Sequence, residues 1–135
     1  PHRRGNCILA DIIRNDLAGA QTTIPCDPAF MYHYVHVDDV VDAILTVLDA
    51  PHLPARRYNV GGGEAMTMPQ IVATAEQVLP RARIEMVPGE DDVPDVQTEF
   101  DISAIARDLG WTPKVPLARG IGLYADYLTQ AAEAK

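Results

Sequence analysis

The sequence predicts an α/β fold of short strands and about five helices, and three observations carry that expectation. Segments rich in β-branched and aromatic residues alternate with segments whose apolar residues recur every three or four positions. Glycine or proline stands at most of the junctions between them. The 135 residues are 47% apolar and 22% charged, which suits one soluble unit with one core. Strands that alternate with helices normally join a largely parallel sheet through right-handed crossovers. Three or four short strands make a poor sheet by themselves, so further sheet is expected outside these residues. The opening Pro-His-Arg-Arg, without a methionine, likewise reads as part of a longer polypeptide.

Residues Asn6 to Ala18 set Ile8, Leu9, Ile12, Ile13 and Leu17 on one helical face, and Gly19 stops the helix. A short extended piece over Gln21 to Pro25 and a loop over Cys26 to Phe30 lead into a strand over Met31 to Val37. Asp38 and Asp39 offer cap oxygens to the next helix, whose broad apolar face of Val40, Val41, Ile44, Leu45, Val47 and Leu48 runs until Pro51. Arg57 to Val60 reads as a strand entering Gly61-Gly62-Gly63. Thr67 and Gln70 then form a capping box for a helix that reaches Leu79 and ends at Pro80. A strand over Arg83 to Val87, a polar loop over Pro88 to Thr98 and a short helix from Ser103 to Leu109, closed by Gly110, follow. Pro116 opens the last helix, with Leu117, Ile121, Tyr124 and Leu128 on its apolar face.

Nineteen acidic against 11 basic side chains give a net charge of −8 with no basic stripe, which disfavours nucleic acid and anionic membrane surfaces as partners. The longest apolar run, Val40 to Leu48, is interrupted by Asp42 and too short for a bilayer, so a cytoplasmic protein is expected. Cys7 and Cys26 read as two buried, reduced residues.

Each candidate for chemistry has a plainer alternative. The triglycine between a strand and a helix could approach a phosphate, but it matches neither dinucleotide nor P-loop spacing and reads as a turn with positive φ. His33 and His36 lie three apart in an expected strand, so they point to opposite faces and cannot grip one ion. The acids Glu90, Asp91, Asp92 and Asp95 lack calcium-loop spacing and read as a solvated loop. A helix dipole could activate Cys7, though packing explains it as well. The residues alone contain no complete catalytic constellation and no metal site.

Four segments, taken in order, do form a pattern: Tyr34-Val-His-Val-Asp-Asp-Val-Val-Asp-Ala-Ile-Leu45, Tyr58-Asn-Val-Gly-Gly-Gly63, Asp101-Ile-Ser-Ala104 and Leu109-Gly-Trp-Thr-Pro113. Together they resemble the C-terminal part of the extended short-chain dehydrogenases/reductases, the NAD-dependent epimerase/dehydratase family, over nearly the whole chain. The resemblance implies an N-terminal Rossmann half that carries NAD or NADP, with this C-terminal region closing over a small-molecule substrate. The family's glycine-rich fingerprint and its catalytic Tyr-x-x-x-Lys pair are absent here, so no catalytic residue is expected within the chain. The 135 residues by themselves should be inactive. The segment 39–63 is expected to sit as helix and strand on the Rossmann sheet, and the whole protein is expected to form a homodimer.

Carried over residue by residue, the resemblance sets Pro1 beside the nicotinamide and brings Asn6 and Cys7 to the substrate. Asn59 matches a substrate-contacting asparagine, although bonding to backbone would explain it equally. Asp38 matches a helix-capping aspartate. Nucleotide-sugar members carry an arginine at the position of Tyr32 and another at that of Val87, a pair suited to clamping a pyrophosphate. Their replacement implies a sugar, sugar acid or other hydroxy compound less anionic than a nucleoside diphosphate sugar, with Tyr32 at its site. The rival expectation is a stand-alone binding module without activity; a metal-dependent hydrolase is more remote.

Overall fold

The computed structural model describes residues 7–89 and 100–133. In chain order these form α1 (Ile8–Ala18), β1 (Gln21–Cys26), β2 (Met31–His33), α2 (Val37–Asp49), β3 (Ala65–Thr67), α3 (Met68–Val78), β4 (Arg83–Pro88), α4 (Ser103–Leu109) and α5 (Leu117–Glu133). The strands make two separate pairs. β1 and β4 run parallel, in register from Gln21↔Arg83 to Cys26↔Pro88. β2 and β3 run antiparallel over three residues, with Tyr32 opposite Met66. The α/β class is as the sequence predicts, although only one of the two pairs is parallel.

Both glycine stops act as expected: Gly19 and Gly110 take the left-handed conformation, each at φ 69°, after α1 and α4. Gln70 reaches back to accept the Thr67 N–H at 2.8 Å, which fixes the start of α3. The Asp101 carboxylate accepts the Ser103 N–H at 2.8 Å beside the start of α4. Hydrogen bonds from the Ser103 hydroxyl and N–H hold that carboxyl below its ordinary pKa.

The main core joins α1, β1, β2, α3 and α5 through Ile12, Ile13, Ile24, Tyr32, Met68, Ile71 and Ile121, among others. Leu117, Tyr124 and Leu128 pack on it from α5 as their spacing predicts. A second cluster of Ala43, Ile105 and Trp111 ties α2 to α4, with Tyr58 and Val60 against it. Buried Asp16 accepts the Arg81 N–H at 2.8 Å and so fastens the end of α1 to the chain entering β4.

Several expectations are corrected. No strand forms over 57–60: Tyr58 and Val60 pack sideways into the second cluster, and the segment has no ladder partner among the described residues. β2 stops at His33, because β3 offers only three partners. α2 starts at Val37, so Asp38 and Asp39 lie in its first turn and the cap is His36, whose ring accepts the Asp38 N–H. The apolar face of α2 is mostly uncovered: Val41, Ile44, Leu45 and Leu48 are exposed. Cys26 is buried as expected, but Cys7 is only half-buried.

Candidate functional site

A cavity of about 630 Å³ opens between the start of α1, the turn from β2 into α2, and α5. Cys7 caps α1 in an extended conformation and contributes one wall together with Leu9 and Ile13. Tyr34, His36 and Asp38 supply the second wall. The chain is free to turn there because β2 has already run out of partners at His33. Gly120, Ile121, Leu123 and Tyr124 of α5 form the third, and Gly120 faces His36 so closely that a Cβ would stand 3.4 Å from its Cδ2.

The wall between α2 and α5 is held electrostatically. The buried Asp39 carboxylate accepts the N–H of Lys114 at 2.9 Å and that of Val115 at 3.0 Å. Lys114, which lines the cavity, directs its ammonium to Asp42 at 2.8 Å. That hydrogen bond, with the charge of Asp42, raises the Lys114 pKa above its ordinary value.

The site residues expected from the sequence are dispersed. Pro1 and Asn6 lie outside the described residues, as do the acids Glu90, Asp91, Asp92 and Asp95. Cys7 lines the cavity. Tyr32 is buried in the main core, its ring 4.9 Å from that of Phe30 and 6.4 Å from that of Tyr34. It therefore backs the cavity through Tyr34 without lining it. Asn59 is exposed elsewhere and donates to the Asp101 carbonyl at 3.0 Å, the backbone-bonding alternative for this residue. Val87 sits in β4 opposite Pro25.

The histidines part company: the His33 ring meets Phe100 edge-on, centroids 4.8 Å apart, while His36 caps α2. Among the described residues no cluster of three potential metal ligands forms, and no helix is long and apolar enough to cross a membrane. The triglycine is a turn, with Gly63 at φ 85°. A Cβ on Gly62 would overlap the Tyr34 carbonyl, so glycine is required there by the close approach of the chain's own backbone.

Sequence reasoning missed Tyr34, His36, Lys114 and Tyr124 as cavity residues and Asp39 as the latch. A signal for Asp39 existed, since it lies four positions before Ala43 and shares the inward face of α2.

No family model matches the chain. It is 27% identical over 117 residues to UDP-glucuronic acid decarboxylase 3 of Arabidopsis thaliana, covering 86% of this chain and 33% of that protein. It is 30% identical over 105 residues to dTDP-L-rhamnose 4-epimerase of Burkholderia thailandensis, covering 76% and 28%. Thus the chain spans about a third of the length of the curated relatives it matches. Among solved structures, UDP-glucuronic acid 4-epimerase from Bacillus cereus, in complex with UDP-glucuronic acid and NAD, superposes with a TM-score of 0.79 at 23% identity, over 97% of this chain and 42% of that one. UDP-glucose 4-epimerase from Thermotoga maritima, with UDP-glucose, gives 0.76 at 25% identity, over 93% and 40%.

Proposed function

Since the chain is a C-terminal portion of an extended short-chain dehydrogenase/reductase of the NAD-dependent epimerase/dehydratase family, we propose that it is the substrate-binding part of an NAD(P)-dependent enzyme acting on a sugar or sugar-like hydroxy compound. The observation that carries this reading is the cavity itself. It brings Cys7, at the helix start that the family resemblance assigns to substrate, together with α5 and the turn into α2.

The cofactor would supply a hydride acceptor, and the residues that hold it lie outside this chain. What the chain contributes is partial enclosure by a mostly apolar lining in which Tyr124 takes part. His36 stands in the same lining, its Nδ1 3.3 Å from the Asp38 N–H and 3.6 Å from the Asp38 carboxylate. Asp39 keeps the α5 side of the site in place. In the full-length polypeptide the segment 39–63 packs against the dinucleotide-binding sheet and covers the exposed side chains of α2, and two such polypeptides form a homodimer.

The test is to mix the full-length polypeptide with NAD+ or NADP+ and a panel of sugars, sugar acids and nucleotide sugars, following reduced nicotinamide by absorbance and epimerised or dehydrated products by NMR. Turnover with any of them, lost when the family's Tyr-x-x-x-Lys pair is replaced, supports the reading. Absence of cofactor binding and of turnover removes it and leaves the second reading, a binding module. The exposed Val41, Ile44, Leu45 and Leu48 favour that alternative as a partner surface.

A further inference from the structure

We propose that Asp39 is a positioning residue of the cavity: its carboxylate fixes the segment 113–116 as one wall, so that ligand affinity depends on it and not stability alone. This deepens the reading of the site proposed above and rests on it. Pro113, Lys114, Val115 and Pro116 all line the cavity. They belong to no helix or strand, so neither a helical ladder nor a sheet holds them in place. The two prolines have no N–H, which leaves Lys114 and Val115 as the only backbone donors of the segment. Asp39 takes both, at 2.9 Å and 3.0 Å.

The carboxylate is well placed to hold a wall still. At 2% exposure it meets little competing water, and hydrogen bonds to a charged acceptor are stronger than those to a neutral one. Its base is firm, since Asp39 lies in the first turn of α2 and Ala43, one turn on, packs with Ile105 and Trp111. Beyond the segment, the Gly120 N–H donates to the Pro116 carbonyl at 3.0 Å, so the same clamp sets where α5 begins. From α5 the cavity then receives Leu117, Gly120, Ile121 and Tyr124. Replacing one carboxylate oxygen by an amide leaves one of the two N–H groups without an acceptor and lets the wall move, while the side chains of the main core are unchanged.

The test compares Asp39→Asn with Asp16→Asn in the full-length polypeptide. Asp16 is also buried and also accepts a backbone N–H, from Arg81, but sits at the far end of α1 from Cys7. Alkylation by N-ethylmaleimide is mapped by mass spectrometry at Cys7, in the cavity lining, and at Cys26, which at 4% exposure reports global unfolding. Asp39→Asn is expected to speed alkylation of Cys7 about threefold or more with Cys26 still protected, and Asp16→Asn to leave Cys7 unchanged. With NAD+ and UDP-glucuronic acid as the probe, Asp39→Asn is expected to raise KM about fivefold or more and keep kcat within about twofold, the mark of lost binding rather than lost chemistry. Cys7 unchanged in Asp39→Asn, Cys7 and Cys26 accelerated in step, or the same gain at Cys7 from Asp16→Asn overturns the positioning role. So does a fall in kcat at unchanged KM. If Asp39→Asn does not fold, amide exchange in the wild type decides: protection of both Lys114 and Val115 supports the clamp, and free-peptide exchange at either overturns it. Where UDP-glucuronic acid is not turned over, a compound of the panel above that is turned over takes its place. Where none is, the enzyme reading fails and the labelling of Cys7 alone decides the positioning role.

Discussion

Asp39 accepts the backbone N–H of Lys114 at 2.9 Å, across 75 positions of sequence. Its second oxygen takes the Val115 N–H at 3.0 Å, and the residue is only 2% exposed. Truncation therefore strands two backbone donors away from water. Asp39→Ala should lower the unfolding free energy by about 3 kcal/mol. Asp39→Asn should lose about half as much, because its amide oxygen can still accept. Urea unfolding followed by Trp111, the sole tryptophan, measures both, since that ring lies in the cluster beside α2. Equal losses, or losses below about 0.5 kcal/mol, contradict the latch.

The three consecutive glycines should respond differently to alanine. At Gly62 a Cβ would overlap the Tyr34 carbonyl, and backbone cannot yield cheaply, so Gly62→Ala should cost about 2 kcal/mol or more. At Gly63 the φ of 85° is strained for any side chain, and Gly63→Ala should cost about 1 kcal/mol. Gly61 has open contacts, 3.6 Å to Ile102 Cγ2, so Gly61→Ala should stay within about 1 kcal/mol of wild type. Thermal melts rank the three; a different order argues against the turn described here.

Lys114 should titrate above the ordinary lysine value of 10.5, because the bond to Asp42 favours its charged form. A raised folded-state pKa contributes stability that is fully present below 10.5 and is lost as pH rises through the raised value. The side chain is exposed, so the contribution is small. NMR of the lysine Cε resonance should show the elevation in wild type and its return to the ordinary value in Asp42→Asn. An unshifted resonance in wild type would mean that the pair does not persist in solution.

Helix ends were legible wherever a local device sets them: Gly19 and Gly110 for α1 and α4, the Thr67/Gln70 box for α3, Pro116 before α5. Pairing was less legible, because a strand exists only with a partner that sequence does not name. Tyr58 and Val60 have strand-like chemistry and become packing residues of the second cluster. The four-segment pattern located the family and the fold, as the relatives and solved structures bear out. The cavity was mostly hidden, since α1, the turn into α2, and α5 meet only through tertiary packing. His36 also overrode the cap preference for Asp38, a choice fixed by helix register.

Val41, Ile44, Leu45 and Leu48 present an apolar surface on α2, at 48%, 53%, 51% and 72% exposure. On the proposal that 39–63 packs against a dinucleotide-binding sheet, these side chains are covered in the full-length polypeptide. Ile44→Lys should then destabilise that polypeptide by about 2 kcal/mol, the loss of one buried isoleucine, or more if the charge stays trapped. In the isolated 135 residues the same change should stay within about 0.5 kcal/mol and improve solubility, because the site there already faces water. Hydrogen exchange of α2 gives a parallel measure: its amides should be slower in the longer polypeptide than in the shorter one. Equal sensitivity to Ile44→Lys and equal exchange in both would show that nothing covers α2 and would return this helix to the binding-module reading.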